Sequence, residues 1–77
     1  MPRYFFNVRD GTEYLDRVGT ELAGPDAARA EAVRTAGAIL KDLGSEFWNS
    51  GEWIMRVTDE SGAAVCTLRF SAGNDAP

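Results

Sequence analysis

One long apolar stripe limits the folds that this chain can adopt. From Pro25 onward, apolar residues recur three or four positions apart, which places them on one side of an α-helix. The stripe comprises Ala28, Ala32, Ala36, Leu40, Leu43 and Phe47, with Val33 and Ile39 beside it. Polar residues occupy the opposite side of the same helix. Such a helix is stable only when its stripe is covered, and the alanines predict close approach to a sheet.

The start of this helix is well marked in the sequence. Gly24 is an acceptable N-cap, Pro25 fits the first helical position, and Asp26 places a carboxylate at the positive end of the helix dipole. At the other end, Gly44 is either a C-cap followed by a short separate turn, or a weak point in a helix that continues to Ser50. The sequence leaves both alternatives open.

Segments with strand character lie on both sides of the helix. Residues 3–9 are rich in aromatic and β-branched side chains and run into an Asp-Gly-Thr turn, with a short return strand expected over 13–15. Residues 52–59 alternate between two faces, a Glu-Ser-Gly turn follows, and residues 64–70 alternate again. The pattern predicts an α+β fold, ββαββ, with a mostly antiparallel four-stranded sheet and one long helix packed on one face.

The length of 77 residues limits the chain to one domain, predicted over residues 1–70, with residues 71–77 as a flexible acidic C-terminal tail. A core this small usually needs help from disulfides, metals or oligomerisation. The single cysteine cannot form an internal disulfide, and a chain without histidine lacks the usual ligands of a zinc site. Of these three means of stabilisation only oligomerisation remains, so a homodimer is the expected state.

The N-terminal segment predicts a soluble, cytoplasmic protein. It turns polar before an apolar signal-peptide core can form, and no run approaches the roughly 20 apolar residues needed to cross a bilayer. We therefore expect no membrane partner. The net charge of -4 also disfavours, on average, a phosphate-binding surface, because nucleic-acid binders usually carry a basic excess.

Four short motifs are shared with a family of small bacterial proteins. They are residues 2–11 (PRYFFNVRDG), 19–22 (GTEL), 27–32 (AARAEA) and 57–62 (VTDESG). On these motifs the chain resembles an uncharacterised domain of unknown function whose members begin PRYFF and carry a VTDE-G turn late in the chain. Asn7 stands where many members have histidine. The resemblance covers nearly the whole length and implies a stand-alone bacterial domain with the ββαββ layout, without implying an activity.

The residue types that usually carry catalysis are scarce. Histidine, the commonest general base, is absent, and Cys66 falls on the apolar face of the last predicted strand, where it is interpreted as a small buried hydrophobe. Asp10, Asp59 and Glu60 stand where hairpin turns favour side chains that bond the backbone. No glycine-rich phosphate motif occurs. We therefore expect no enzyme, no catalytic residue, no cofactor and no metal site.

The two tryptophans flank Gly51, next to the end of the predicted helix. We expect Trp48 and Trp53 to seal this end of the core, each indole with one hydrogen bond, rather than to form a ligand pocket. Trp48 is the better candidate for exposure, because Phe47 more nearly continues the buried stripe.

The sheet face turned away from the helix is the candidate binding surface. If Tyr4, Phe6 and Val8 face the helix, the alternating positions of each strand point away from it. The partner-binding residues predicted on this face are Arg3, Phe5, Arg9, Ile54, Arg56, Val65 and Arg69. Four of the eight basic residues would thus collect on one face of an acidic chain.

Several interpretations of this face stay open, including ordinary solvation of a sheet. The first is a protein-binding or homodimer surface, since Arg and Phe are favoured at interfaces. The second is single-stranded nucleic acid, with Phe5 stacking on a base and arginines contacting phosphates. A third hypothesis is an acidic inhibitor that uses Glu31, Asp42 and Glu46 to occupy a basic site on a partner. The working hypothesis is a non-catalytic protein-interaction or regulatory module.

Overall fold

The computed structural model describes residues 1–75 and shows one helix packed on an antiparallel sheet. Its strands are β1 (Arg3–Arg9), β2 (Glu13–Tyr14), β3 (Thr20–Glu21), β4 (Glu52–Thr58) and β5 (Ala64–Ser71). The helix α1 spans Pro25–Leu43, and a 3₁₀-helix follows over Gly44–Asn49. The predicted α+β class is confirmed.

The sheet has five strands rather than the predicted four. The strand order is β2-β1-β4-β5, and β3 also pairs with β1, all in antiparallel orientation. β2 pairs with Val8 and Arg9, whereas β3 pairs with Arg3 and Tyr4 at the other end of β1. β3 has two residues, which is too short for alternation to reveal it in the sequence.

The core lies between α1 and the central strands. Its buried members are Tyr4, Ala28, Ala32, Ala36, Phe47, Trp53, Met55 and Val57. The three alanines of α1 confirm the predicted stripe, and their small side chains allow the helix to approach the sheet closely. Val33, expected beside the stripe, is instead 63% exposed. It follows a buried alanine by one residue, and a turn of about 100° per residue carries it away from the sheet.

The α-helix ends at Leu43 with Gly44 as its C-cap, which settles the two alternatives for its C-terminus. Gly44 has a φ of 52°, in the left-handed region that favours glycine, and its N–H donates to the carbonyl of Leu40. The 3₁₀-helix then carries Phe47 into the core. No helix in the part of the chain described here is both long and apolar enough to cross a membrane.

The two tryptophans differ in environment, contrary to the expectation that both seal the core. Trp53 is 1% exposed, and its indole N–H has no hydrogen-bond partner among the described residues. The predicted hydrogen bond is therefore wrong for Trp53. Trp48 lies on the outer side of the 3₁₀-helix and is largely exposed, as anticipated from the buried position of Phe47.

The C-terminal strand extends slightly further than predicted. β5 includes Ser71, and Ala72 donates its N–H to the carbonyl of Gly51 at 3.0 Å. Residues 76–77 of the predicted tail lie outside the described residues. The flexibility of the tail stays a prediction.

Candidate functional site

The strand register arranges the side chains of the open face in rows. One row is Arg9, Ile54 and Arg69, and the next is Asn7, Arg56 and Thr67, each taken from β1, β4 and β5 in turn. Side chains directly opposed across strands lie about 5 Å apart at Cβ, and diagonal neighbours about 7–8 Å apart. The alternation predicted one shared face for these residues, and the register makes Arg56 a diagonal neighbour of both Arg9 and Arg69.

A shallow groove of about 410 Å³ runs along these rows. We call it the arginine groove; its lining includes Arg9, Glu13, Leu15, Ile54, Arg56 and Arg69. Arg9 pairs with Glu13 at 3.7 Å, but both side chains are exposed and such pairs contribute little. No carboxylate of residues 1–75 forms an ion pair with Arg56 or Arg69. These two exposed arginines therefore carry positive charges that no ion pair in this part of the chain compensates.

Two of the predicted site residues, Arg3 and Phe5, are engaged in contacts with other parts of the same chain. The guanidinium of Arg3 pairs with Glu21 at 3.3 Å and donates to the carbonyl of Val18 at 2.9 Å. Phe5 is half-buried, and the backbone of Gly19 lies against its ring. Neither residue lines the arginine groove, so the loop that follows β2 removes both from the site.

Val65 also lies apart from the arginine groove. The register between β4 and β5 shifts at Thr58, which leaves Val65 as the extra residue of a β-bulge. Val65 is half-buried and packs against the core rather than standing on the open face with Arg69. The prediction from strict alternation fails here because a bulge changes the direction of the side chains on one strand.

Asp16 provides hydrogen-bond acceptors at the edge of β1, between the residues that pair with β2 and those that pair with β3. Its Oδ1 accepts the N–H groups of Val18 and Gly19 at 3.0 and 2.9 Å, and its Oδ2 accepts that of Phe6 at 3.1 Å. Phe6 needs this acceptor because the two short strands pair only with residues on either side of it. Burial alone raises the pKa of Asp16, but hydrogen bonds from Gly19, Phe6 and Val18 lower it to a net value below the usual range.

Asn7 connects the same loop to the arginine groove. Its Oδ1 accepts the N–H of Asp16 at 3.0 Å, and its Nδ2 donates to the carbonyl of Arg56 at 3.3 Å. Sequence reasoning missed both residues as organisers of the site. The signal was present, since an aspartate three residues before a glycine, here Gly19, is typical of a turn in which the carboxylate bonds the backbone.

The turn between β4 and β5 confirms the interpretation of Asp59. Its Oδ1 accepts the N–H and hydroxyl of Ser61, at 2.9 and 2.7 Å, and the N–H of Ala63 at 3.0 Å. The Ser61 hydroxyl is the main reason that the pKa of Asp59 lies below its usual value. Cys66 on β5 is half-buried and packs against the core, where it serves as a small apolar residue.

Replacing Gly19 with alanine is expected to destabilise the loop over the open face. Gly19 has a φ of 75°, and an added Cβ would lie 2.8 Å from both Arg3 Cγ and Phe5 Cε1. We expect Gly19→Ala to lower the free energy of unfolding, measured by urea denaturation, by more than the roughly 1–2 kcal/mol that a positive φ alone costs. Gly62→Ala is the control, because Gly62 has a similar φ of 88° with open space around it. An equal loss in both variants would show that the contact with Phe5 is unimportant.

Together, the fold and the groove define a small α+β domain with an open, arginine-bearing sheet face. The chain belongs to the family described as a domain of unknown function (DUF6894), whose model matches residues 3–71. Comparison with curated proteins and with solved structures gave no significant match. The family membership agrees with the resemblance to an uncharacterised small domain and assigns no activity.

Proposed function

We propose that this protein is a non-catalytic interaction module whose arginine groove binds an acidic segment of a partner protein. The observation that carries the proposal is the pair Arg56 and Arg69, which have no carboxylate partner within residues 1–75. Within residues 1–75, Arg17 and Lys41 form no ion pair either, so Arg56 and Arg69 are distinguished by being neighbours on one sheet face of a chain with 12 acidic and 8 basic residues. Elsewhere, Arg29 and Arg34 on α1 each pair with an acidic residue on the same helix.

The geometry of the groove favours carboxylates on an extended chain. Guanidinium groups bind carboxylates through two parallel hydrogen bonds, which fixes both distance and direction. Arg56 and Arg69 are diagonal neighbours, so their Cβ atoms lie about 7–8 Å apart. Alternate residues of an extended peptide are separated by about 6.6–6.8 Å, which matches this spacing. The preferred segment therefore carries acidic residues at positions i and i+2, with Ile54 available for an apolar contact.

The same geometry makes single-stranded nucleic acid the less favoured occupant. Binding of that kind usually combines basic groups with exposed aromatic rings on which bases stack. Phe5 was the predicted stacking residue, but it is half-buried beside Gly19 and does not line the groove. No aromatic side chain of the described residues lines the groove, and Glu13 places a negative charge in it.

A charge-reversal experiment tests the proposal. The labelled protein is titrated with a short peptide of alternating glutamate and glycine, and backbone amide shifts are followed by NMR at low and high salt. We expect shifts at Ile54, Arg56 and Arg69, and at least a roughly tenfold loss of affinity in Arg56→Glu/Arg69→Glu, because two charge-assisted contacts are lost. The matched control, Arg34→Glu/Lys41→Glu, makes the same change of net charge on the helix side.

Three outcomes would overturn the proposal. Equal loss of affinity in both double variants would indicate a response to net charge rather than to the groove. Shifts on the helix side alone would place binding elsewhere. Binding of single-stranded RNA through Arg56 and Arg69, without binding of the acidic peptide, would favour the nucleic-acid hypothesis.

A further inference from the structure

The outer edge of β5 has no partner strand. β5 ends the strand order β2-β1-β4-β5, and no strand within residues 1–75 pairs with its second edge. β5 is eight residues long and contains one charged residue, Arg69. Natural edge strands are usually protected by lysines, prolines, bulges or a covering segment. The bulge at Val65 protects only the start of β5, which leaves the regular part from Cys66 to Ser71 open.

The alternating direction of the backbone hydrogen bonds along β5 shows which N–H and C=O groups lie on this edge. Ala72 donates its N–H to the carbonyl of Gly51, so position 72 bonds toward the preceding strand. Backbone groups of successive residues in an antiparallel strand point in alternate directions. Positions 66, 68 and 70 therefore bond inward to β4, and the N–H and C=O groups of Thr67, Arg69 and Ser71 point outward.

Apolar surface lies beside this edge, on the helix side of the sheet. Phe70 is 49% exposed, and its ring meets that of Phe47 edge to face at a centroid distance of 5.2 Å. The adjacent groove, of about 290 Å³, is lined by Ala36, Leu40, Trp53, Leu68, Arg69 and Phe70. Unpaired backbone groups next to an apolar groove are typical of an edge that accepts a further strand.

We propose that the outer edge of β5 pairs antiparallel with the same edge of a second copy of this chain, with Leu68 of both copies at the two-fold axis. In this register Thr67 exchanges backbone hydrogen bonds with Arg69 of the second copy, and Cys66 lies opposite Phe70. Each guanidinium thus faces a threonine rather than another charge. The half-exposed Phe70 of each copy then lies on the helix side of the sheet, beside the apolar surface of the other copy.

The two neighbouring symmetric registers are less favourable. An axis at Arg69 sets the two guanidinium groups directly opposite each other, and like charges in that position destabilise a strand pair. An axis at Thr67 brings Val65 into the ladder opposite Arg69, where the bulge interrupts regular pairing. The register centred on Leu68 keeps residues 66–70 paired within the regular part of β5. The edge is therefore complementary to itself, which is why the occupant is a second copy.

This pairing has a defined geometry for the assembly. A two-fold axis perpendicular to the sheet places both helices on one side and both arginine grooves on the other. Arg69 of each copy then lies close to the seam, so the two grooves form one basic strip. The pairing itself does not depend on an acidic partner. Its tests contain no peptide, so its failure is separate from failure of the proposed function.

Removal of one outward N–H tests the edge directly. Thr67→Pro deletes a donor that points away from β4, so the internal ladder of the monomer is preserved. We expect the wild-type chain to dimerise in sedimentation experiments between about 1 μM and 1 mM, and Thr67→Pro to weaken dimerisation at least tenfold. Thr67→Ser, which keeps the N–H, is the matched control and is expected to dimerise like the wild type. Far-UV circular dichroism checks that each variant is folded.

Disulfide trapping tests the register. In Cys66→Ser/Leu68→Cys the two thiols face each other at the axis, within the range that a disulfide can bridge. We expect mild oxidation to cross-link this variant at least roughly fivefold faster than Cys66→Ser/Val33→Cys, whose thiol lies on the exposed side of α1. The wild-type Cys66 is expected not to cross-link, because four residue steps along the strands, about 13 Å, separate the two copies of this residue.

The results either support or overturn the pairing. A monomer at every concentration, with no faster cross-linking through position 68, would overturn it. A dimer that survives Thr67→Pro and does not cross-link through position 68 would overturn it as well, since association would then use another surface, such as the arginine groove. Faster cross-linking through position 68 together with loss of the dimer in Thr67→Pro supports it.

Discussion

Met55→Ala is expected to lower the free energy of unfolding by about 3 kcal/mol, the largest effect of a single substitution that we predict here. Met55 is 0% exposed and lies in the middle of β4, opposite Val8 on one side and Leu68 on the other. Removal of its side chain leaves a cavity between the sheet and α1 that neighbouring residues fill only partly. A domain of this size has a total stability of about 4–12 kcal/mol, so the loss is a large share.

Urea denaturation and thermal unfolding measure this effect, with a fall in Tm on the order of 15 °C. Val33→Ala is the control, because it shortens an exposed apolar side chain on the outer side of α1 and is expected to change stability by less than about 0.5 kcal/mol. Met55→Leu is expected to cost less than about 1.5 kcal/mol, since it keeps the volume. Equal losses for Met55→Ala and Val33→Ala would contradict the assignment of the core.

Asp16→Ala is expected to destabilise the protein by about 2–3 kcal/mol, although Asp16 is not fully buried. The substitution leaves the N–H groups of Phe6, Val18 and Gly19 without their acceptor. Asp16→Asn is expected to lose less, because one oxygen can still accept from Val18 and Gly19. Asp42→Ala, on the exposed side of α1, is the control and is expected to have little effect. A similar loss in both alanine variants would contradict the role of the Asp16 hydrogen bonds.

The contribution of Asp16 also depends on pH. Its pKa in the folded protein lies below the usual value, so its carboxylate adds stability that is fully present above the unfolded-state pKa of about 4. This contribution is lost as the pH falls through the lower, folded-state pKa. We therefore expect the difference in stability between the wild type and Asp16→Asn to be constant near neutral pH and to shrink below about pH 4. A difference that grows in acid would contradict this linkage.

The elements of this fold were predictable where many residues share one period. The stripe from Ala28 to Phe47 and the alternation over β4 each extend over several repeats, so single exceptions such as Val33 do not hide them. The start of α1 at Pro25 was predictable because its signals are local to the chain. The end of the helix was ambiguous, since a glycine can either stop a helix or be tolerated within it.

The candidate site was predictable only in part. Arg9, Ile54, Arg56 and Arg69 line one groove because regular alternation extends across three strands with a constant register. Arg3 and Phe5 are at strand positions predicted to face away from the helix, yet both contact the loop around Gly19. Alternation along a strand predicts the face to which a side chain points. It does not predict whether another segment of the chain covers that side chain.

The sequence by itself determined the α+β class, the start of the helix, the two main hairpins and the parity that sets arginines on the open face. These features depend on local conformational propensity and on the short repeats of apolar residues that helices and strands produce, and both can be read directly from the sequence. Only the tertiary structure decided which arginines remain unpaired, how Asp16 completes the edge of β1, and that Val65 turns toward the core. Each of these depends on contacts between residues distant in sequence, or on a one-residue bulge whose position depends on pairing with another strand.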